Sequence, residues 1–348
     1  MTRLLVRGLG WSTLAALVAM GCQRQHSGLA AEPLEAGSPA RVAPSKSASA
    51  EALGDTRGAL MSTSAPQGTA SEKSMDLAVT MLSRLRKLRG KDDYVAPTAE
   101  QLEAYGGLVR ELCRGQATDL HAEGLQVVVY PELPGFTWLV EAEGLRRGTG
   151  ILVLARQARR ELLIEAPHTF FDEGTLELAV RSFVALGARA LLVNSTPRTG
   201  GPTQGGSLTK QERAQSVRSG QAPADVAHLE DSCFNRAHLE LLGCLPHPLT
   251  LQWHGFRDEL APGVQVAISL ADTPGELAPL VSQLEALLGE GSVKIASTEL
   301  KRLGATGNRQ GQACRERGVP FVHLELSAQL RKQLAASAEL RDRFLASV

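Results

Sequence analysis

The chain has 348 residues, and its 37 basic side chains (Lys and Arg) balance 37 acidic ones (Asp and Glu). The sequence contains no basic stripe interleaved with aromatic residues, so nucleic-acid binding is not expected. The length is sufficient for one large α/β domain or two smaller ones after the N-terminal segments are set aside.

Residues 1–22 have the pattern of a targeting segment. Arg3 and Arg7 supply a basic start, and the apolar run over residues 9–20 is too short for a stable membrane span. Small residues then precede Cys22, and in this the segment resembles a bacterial lipoprotein signal. The resemblance implies export, lipidation of Cys22 and a mature chain that begins at this cysteine. Gln23 follows where Asp would signal inner-membrane retention, which favours the outer membrane. An ordinary secretory signal with a chance cysteine is the alternative.

Residues 23–72 are rich in Ala, Ser, Gly and Pro and show no apolar periodicity. Such a composition cannot bury enough apolar surface to offset the entropy lost on folding, so we expect a flexible tether. Residues 73–348 then form the folded part, with a helical brace over residues 73–115 and a sheet domain over residues 120–348.

Helices and hairpins are predicted at the start of the folded part. Residues 74–88 place apolar side chains at helical spacing, and Pro97 and Thr98 begin a second helix that extends to residue 112. Short linkers that contain Gly and Pro favour hairpins between the next strand-like runs, which cover residues 125–130, 136–140, 150–155 and 161–166.

From residue 165 the pattern changes to alternating strands and helices. Further strands are expected over residues 188–193, 248–253, 264–270 and 320–326. Helices are expected over residues 175–186, 210–217 and 226–242, after Pro274 and at the C-terminus. Hairpins joined to βαβ units predict an α/β fold with a mixed parallel and antiparallel sheet and helices on both faces.

Three residues near strand ends are candidate metal ligands. His168 and Glu173 lie on a loop between a buried strand and a helix, and His254 lies at the end of a second strand. Open α/β sheets build their sites outside the carboxyl ends of strands, and a His, Glu, His set leaves a fourth position for water at a catalytic zinc. Asp172 lies beside Glu173, and the spacing favours Glu173 as the carboxylate ligand. Hydrogen-bonded histidines without a metal are the alternative.

The segment HTFFDEGTLE, which starts at His168, resembles the zinc loop of phage poly-γ-glutamate hydrolases, where a Glu follows the His after five residues. His254 and Gly255 are similar to the His-Gly pair that supplies the third ligand in that family. The resemblance extends to N-formylglutamate amidohydrolases and the wider carboxypeptidase group, and it covers about residues 150–326. It implies a zinc-carboxypeptidase-like fold, a bound Zn²⁺ and cleavage of an amide bond. The family loop is glycine-rich between His and Glu, whereas residues 169–172 here are Thr, Phe, Phe and Asp.

Glu325, near the end of the last predicted strand, is the candidate catalytic base. The resemblance implies this role, because carboxypeptidase-like enzymes place their catalytic glutamate at the corresponding strand end. Amide hydrolysis at a metal needs such a base to accept a proton from water. The alternative is a strand in which His323 and Glu325 both point to solvent.

Three residues are candidates for binding a substrate carboxylate. Asn235 and Arg236 are similar to the Asn-Arg pair of carboxypeptidases, and Arg198 follows a strand end. A guanidinium group binds a carboxylate through two parallel hydrogen bonds. A plain surface arginine is the alternative for Arg236. Asp225 and His228 are either a helix cap and a surface histidine, or support for a ligand imidazole.

The cysteines that follow Cys22 are even in number, as expected for an exported chain that forms disulfides. They allow three pairings, between which the sequence does not choose, and they are Cys113, Cys233, Cys244 and Cys314.

Together these features predict a zinc-dependent hydrolase that is exported and lipid-anchored in the bacterial cell envelope. Its substrate would be a peptide-like, glutamyl or N-acyl amino-acid amide, either small or polymeric, and its lipid would bind a membrane. The competing interpretation is a non-catalytic envelope lipoprotein that uses the same fold to bind a ligand or partner. A metal site without a catalytic base is a third.

Overall fold

The computed structural model describes residues 70–88, 94–115, 121–143, 145, 147–200, 222–270, 277–296 and 298–348. The predicted signal segment with Cys22, the tether up to residue 69 and the helix predicted over residues 210–217 lie outside these ranges. In the described ranges, no helix combines the length and the apolar character needed to cross a membrane.

The described residues contain one sheet of ten strands. In chain order these are β1 (His121–Ala122), β2 (Leu125–Val128), β3 (Phe136–Glu141), β4 (Ile151–Ala155), β5 (Arg160–Ala166), β6 (Ala188–Val193), β7 (Leu249–Phe256), β8 (Val266–Leu270), β9 (Val293–Ile295) and β10 (Phe321–Ser327). Across the sheet the order is β1-β2-β3-β4-β6-β5-β7-β10-β8-β9.

The sheet is mixed, as predicted. Strands β1 to β4 form an antiparallel meander, and β4 pairs antiparallel with β6. The centre is parallel, because β6, β5, β7 and β10 all run in one direction. Strand β8 pairs antiparallel with β10, and β9 is parallel to β8. The parallel centre therefore collects several carboxyl strand ends at one edge.

Helices cover both faces of this sheet, again as predicted. They are α1 (Ala70–Lys87), α2 (Ala99–Cys113), α3 (Thr175–Leu186), α4 (Cys233–Cys244), α5 (Ala278–Leu288), α6 (Arg309–Glu316), α7 (Ala328–Ala336) and α8 (Ala338–Ser347). Helices α1, α3, α5, α7 and α8 pack on one face, here named the α3 face. Helices α2, α4 and α6 pack on the other, named the α4 face.

The two predicted helices of the brace are confirmed, and they lie on opposite faces. Helix α1 buries Met81 and Leu85 in the core of the α3 face. Helix α2 begins after Thr98, whose hydroxyl accepts from the Gln101 backbone N–H while the Gln101 side chain accepts from the Thr98 N–H. This reciprocal cap explains why the helix starts where the sequence predicts.

The predicted hairpin between β4 and β5 is wrong. Strand β5 pairs in parallel with β6 and β7, and β6 separates it from β4. From Leu162 to Ala166 every residue of β5 is buried, which suits a central strand covered on both faces.

The helix predicted over residues 226–242 starts later than expected. Turns precede it, and α4 begins at Cys233, because the Ser232 hydroxyl accepts from the Asn235 backbone N–H and caps the first turn. Its last residue, Cys244, forms a disulfide with Cys113 at the end of α2, with a Cα–Cα distance of 6.3 Å. Cys233 and Cys314 are buried and free.

Candidate metal centre

The candidate centre lies at the carboxyl ends of β5, β7 and β10. His168 follows the end of β5, while His254 and Glu325 belong to β7 and β10 and are direct partners in the parallel pairing of these strands. The same register pairs Gln252 with His323. Because side chains alternate along a strand, these four residues project from one face, while the intervening Trp253 is buried in the core of the α3 face.

A tight turn after β5 shapes the loop that carries His168 and Asp172. The backbone N–H groups of Phe171 and Asp172 both donate to the His168 carbonyl, at 2.9 and 2.8 Å. The turn brings the Asp172 carboxylate back to His168, with 3.3 Å between Oδ2 and Nδ1. Asp172 Oδ2 also accepts from the Gly255 backbone N–H at 3.0 Å and lies 3.9 Å from His254 Nδ1.

Asp172, rather than Glu173, is therefore the carboxylate that the structure brings to the two histidines. Asp172 is buried, whereas Glu173 is exposed. The Glu173 backbone carbonyl accepts from Arg331 Nη1 at 2.9 Å, on the outer side of the turn. The spacing favoured Glu173, but the turn returns the fourth residue after His168, and not the fifth, to the imidazole.

Both imidazoles turn their Nδ1 atoms towards this carboxylate. His168 Nε2 lies 2.8 Å from Asp225 Oδ1, and His254 Nε2 lies 2.7 Å from Gln252 Oε1. The two Nδ1 atoms are 3.1 Å apart. His168, Asp172 and His254 are all buried, and one donor atom from each lies within 4.8 Å of the others.

The charge of the cluster is set by its carboxylates. Burial alone would lower the pKa of His168, but its hydrogen bonds with Asp172 and Asp225 outweigh burial and raise the pKa to about 9. Burial, reinforced by electrostatic interaction with the His323 and His168 imidazoles, lowers the pKa of His254 well below its usual value. Without a cation, the raised pKa of His168 favours its doubly protonated form, and the lowered pKa of His254 favours a neutral imidazole.

Asp225 supports the His168 imidazole from behind. Besides His168, its carboxylate contacts His228 Nδ1 at 3.0 Å and Arg198 Nη2 at 2.5 Å. Burial would raise the Asp225 pKa, yet the hydrogen bonds from both histidines and the charge of Arg198 hold it below its usual range. Of the two interpretations of Asp225, the structure places it as support for an imidazole, since Ser232 caps the next helix.

Glu325 lies beside the cluster with one oxygen free. Its side chain is 14 % exposed, and among the described residues Oε2 is buried without a hydrogen-bond partner. Burial, with the charge of Asp172 added, raises the Glu325 pKa to about 8. Burial therefore increases the proton affinity of this carboxylate.

His323 is the residue that the sequence argument missed. It is 3 % exposed, and its ring centroid lies 4.5 Å from that of His254, so it does not point to solvent. Burial lowers its pKa to about 3, so the imidazole is neutral. With His254 and Glu325 it forms a second group of donor atoms. Side chains two residues apart on a strand project from the same face, so the prediction that Glu325 faces the site could also have placed His323 there.

Of the three candidate substrate-binding residues, only Arg198 lies at the centre. Its guanidinium is 5.7 Å from the Phe171 ring, which is 45 % exposed. Arg236 instead contacts Glu103 on α2 at 2.6 Å and Glu240 at 2.8 Å, so the Arg236 prediction is corrected to a structural ion pair.

Asn235 is also removed from the substrate side. It is 4 % exposed and is enclosed by hydrogen bonds, donating to the Glu230 carbonyl and accepting from Gln310. Its role in the described structure is to hold α4 against α6.

The donor set fits a divalent transition metal. Two imidazole nitrogens and one carboxylate oxygen are the ligand types of zinc sites in which a further position stays open. Each imidazole also has a hydrogen-bond acceptor at its other nitrogen, as metal-binding histidines almost always do. The buried His168, Asp172 and His254 therefore form a group that could hold a metal ion.

No protein-family profile and no curated protein matches this sequence. Among solved structures, the chain is similar to a bacteriophage poly-gamma-glutamate hydrolase, with 15% identity, a TM-score of 0.37, and coverage of 60% of this chain and 88% of that one. It is similar to the LapA aminopeptidase of Legionella pneumophila, with 9% identity, a TM-score of 0.32, and coverage of 85% and 79%. It is also similar to the succinylglutamate desuccinylase of Chromobacterium violaceum, with 9% identity, a TM-score of 0.34, and coverage of 69% of this chain and 71% of that one. Likeness this low carries no functional argument.

Proposed function

We propose that the chain is a zinc-dependent hydrolase that cleaves an amide bond in a peptide-like, glutamyl or N-acyl amino-acid substrate. One observation carries the proposal: donor atoms of the buried His168, Asp172 and His254 converge beside Glu325, whose Oε2 has no hydrogen-bond partner among the described residues. A zinc ion held by these donors would polarise a carbonyl and acidify water.

Glu325 would act as the base in this reaction. It takes a proton from the attacking water, the hydroxyl adds to the carbonyl carbon, and Glu325 returns the proton to the leaving amine as the C–N bond breaks. Its raised pKa, caused by burial and by Asp172, suits a group that both accepts and donates a proton.

Arg198 would bind an anionic group of the substrate. Its side chain is 17 % exposed and is held at the centre by Asp225 and beside the exposed ring of Phe171. A guanidinium at this position supports a substrate that carries a carboxylate near the scissile amide, as glutamyl and N-acyl amino-acid compounds do.

The variant Glu325→Gln tests the enzymatic role. The replacement is nearly isosteric, so the fold and the zinc content should be unchanged, while hydrolysis of γ-glutamyl or N-acyl amino-acid amides should fall about a hundredfold or more. Glu173→Gln is the matched control and should retain activity, because this side chain is exposed and outside the cluster. An active Glu325→Gln protein would remove Glu325 from the mechanism. A zinc-loaded wild type that is inert on a broad amide panel would favour the non-catalytic binding protein.

We also propose that the protein is exported and lipid-anchored through Cys22, in the outer membrane. The disulfide between Cys113 and Cys244 supports export, since such bonds persist in oxidising compartments. Cys22→Ser should release the protein from membranes and abolish labelling by a fatty-acid probe. A Cys22→Ser protein that stays membrane-bound, with an unlabelled wild type, would contradict the anchor.

A further inference from the structure

A buried glutamine lies directly behind His254. Gln252 is 0 % exposed, and it precedes His254 by two residues on β7, so both side chains project from the same face. Its Oε1 lies 2.7 Å from His254 Nε2 and 2.5 Å from Asn308 Nδ2. Its Nε2 lies 2.8 Å from Glu165 Oε2.

Two contacts fix which end of the Gln252 amide faces His254. The Glu165 carboxylate only accepts hydrogen bonds, so the amide must present its NH₂ group to Glu165. Independently, Asn308 Oδ1 accepts from the Gly311 backbone N–H at 2.9 Å as the cap of α6, which turns the Asn308 NH₂ group towards Gln252. Both contacts place the Gln252 oxygen on the side of His254.

The fixed amide determines the tautomer of the imidazole. Because Gln252 Oε1 is an acceptor, His254 must donate from Nε2, and its Nδ1 keeps a lone pair. That lone pair faces His168 Nδ1 at 3.1 Å and the Asp172 carboxylate at 3.9 Å.

A buried ion pair in turn holds Glu165. His238 Nδ1 lies 2.8 Å from Glu165 Oε1, and both side chains are 0 % exposed. His238 Nε2 lies 3.5 Å from Cys314 Sγ. Cys314, His238 and Glu165 present a thiol, an imidazole and a carboxylate in the order of a nucleophilic triad. Because these side chains are completely buried, a substrate cannot reach the sulfur. The His238 imidazole instead holds Glu165 in place beside Gln252.

We propose that Gln252 is a positioning residue that locks His254 with Nε2 protonated and Nδ1 free as a metal donor, with Glu165 fixing the orientation of its amide. This proposal rests on the proposed function of the cluster as a metal centre. Among the described residues, Gln252 belongs to neither of the two groups of donor atoms that could hold a metal ion.

Nitrogen-15 NMR on the zinc-free full chain tests whether Gln252 fixes the His254 tautomer, and it needs no catalytic assay. Long-range proton–nitrogen correlations should show His254 as the Nε2–H tautomer in the wild type. Gln252→Met removes the acceptor at nearly the same volume, so the spectra should show a mixture of tautomers, and zinc affinity measured against a competing chelator should fall about 10- to 100-fold. Gln252→Glu should restore both the single Nε2–H tautomer and the zinc affinity, because a protonated Glu accepts from His254 and donates to Glu165.

Gln310→Met is the matched control. Gln310 is also 0 % exposed, and its hydrogen bonds connect it to Gln252 at 3.3 Å, to Val226 and to Asn235 rather than to His254. The control should lose stability and keep both the His254 tautomer and the zinc affinity.

An Nδ1–H tautomer in the wild type would overturn the proposal, even if Gln252→Met fails to fold. An unchanged tautomer and zinc affinity in a folded Gln252→Met protein would overturn it as well. A wild type that has the Nε2–H tautomer but binds no zinc would instead contradict the proposed function and leave the lock intact.

Discussion

Gly255 joins three parts of the centre at one residue. Its backbone N–H donates to Asp172 Oδ2 at 3.0 Å, and the Arg331 guanidinium packs against its Cα. From there Arg331 donates to the Glu173 carbonyl at 2.9 Å and to the Phe256 carbonyl at 3.1 Å. The arginine therefore ties the loop that carries Asp172 to the end of β7, and it can do so because residue 255 has no side chain.

Gly255→Ala should loosen this connection. The added Cβ would lie 2.7 Å from Arg331 Nε, closer than such contacts occur, so the guanidinium must leave its place. We expect zinc affinity to fall about tenfold, on the scale of lost supporting contacts around metal ligands. Competition with a chelator measures this. Gly243→Ala is the control, since a Cβ there meets nothing within 4 Å and the residue lies in α4. Equal zinc affinity in both variants would contradict the role given to Gly255.

At the scale of single elements, the strand ends were readable from the sequence. Apolar runs predicted the strands that carry His254 and Glu325, and His168 follows a third such run. Since carboxyl ends of parallel strands meet at one edge, the sequence already indicated that these side chains lie close together.

The remaining features of the site depend on contacts that a linear pattern does not record. The choice of Asp172 over Glu173 follows from one hydrogen-bonded turn. Arg236 pairs with Glu103, which lies 133 positions away on α2, so the local Asn-Arg motif was misleading. The burial of His323 depends on the register between β7 and β10. Turn geometry, long-range pairing and register are all set by tertiary packing.

The disulfide between Cys113 and Cys244 should stabilise the contact of α2 with α4. It joins residues 131 apart in sequence, so it restricts the unfolded chain strongly. Reduction, or the double variant Cys113→Ser/Cys244→Ser, should lower the free energy of unfolding by about 2–5 kcal/mol. Urea unfolding with and without reductant measures the change. If reductant affects the double variant as much as the wild type, the stabilisation does not come from this bond.

At the scale of the whole molecule, the two faces of the central sheet are built differently. The α3 face is covered by apolar side chains, such as Trp253 and Leu324. The α4 face carries buried polar groups between the sheet and helices α4 and α6, and these include Glu165, Gln252 and His238. Burial alone would lower the His238 pKa, but the charge of Glu165 and the contact with Cys314 raise it to about 10. A buried ion pair thus lies at the centre of the fold.

This pair makes stability dependent on pH in the alkaline range. The folded pKa of His238 exceeds the value of about 6.5 expected in the unfolded chain. The contribution of protonated His238 to the free energy of unfolding is therefore complete below about pH 6.5. It is lost as the pH rises through the pKa of about 10 that His238 has in the folded protein. Between about pH 6 and about pH 10, the wild type should lose more free energy of unfolding than His238→Gln does. Equal losses in urea titrations of the two proteins would show that the pair does not titrate in this way.

Zinc content tests most directly the proposal that His168, Asp172 and His254 bind a metal. Elemental analysis of the purified wild type should give about one zinc per chain, as expected for a single three-ligand site. His168→Ala, His254→Ala and Asp172→Asn should each lose most of it, because each removes a ligand atom, whereas Glu173→Gln should retain it. A wild type that takes up no zinc, or an Asp172→Asn protein that retains full zinc while Glu173→Gln loses it, would contradict this metal site.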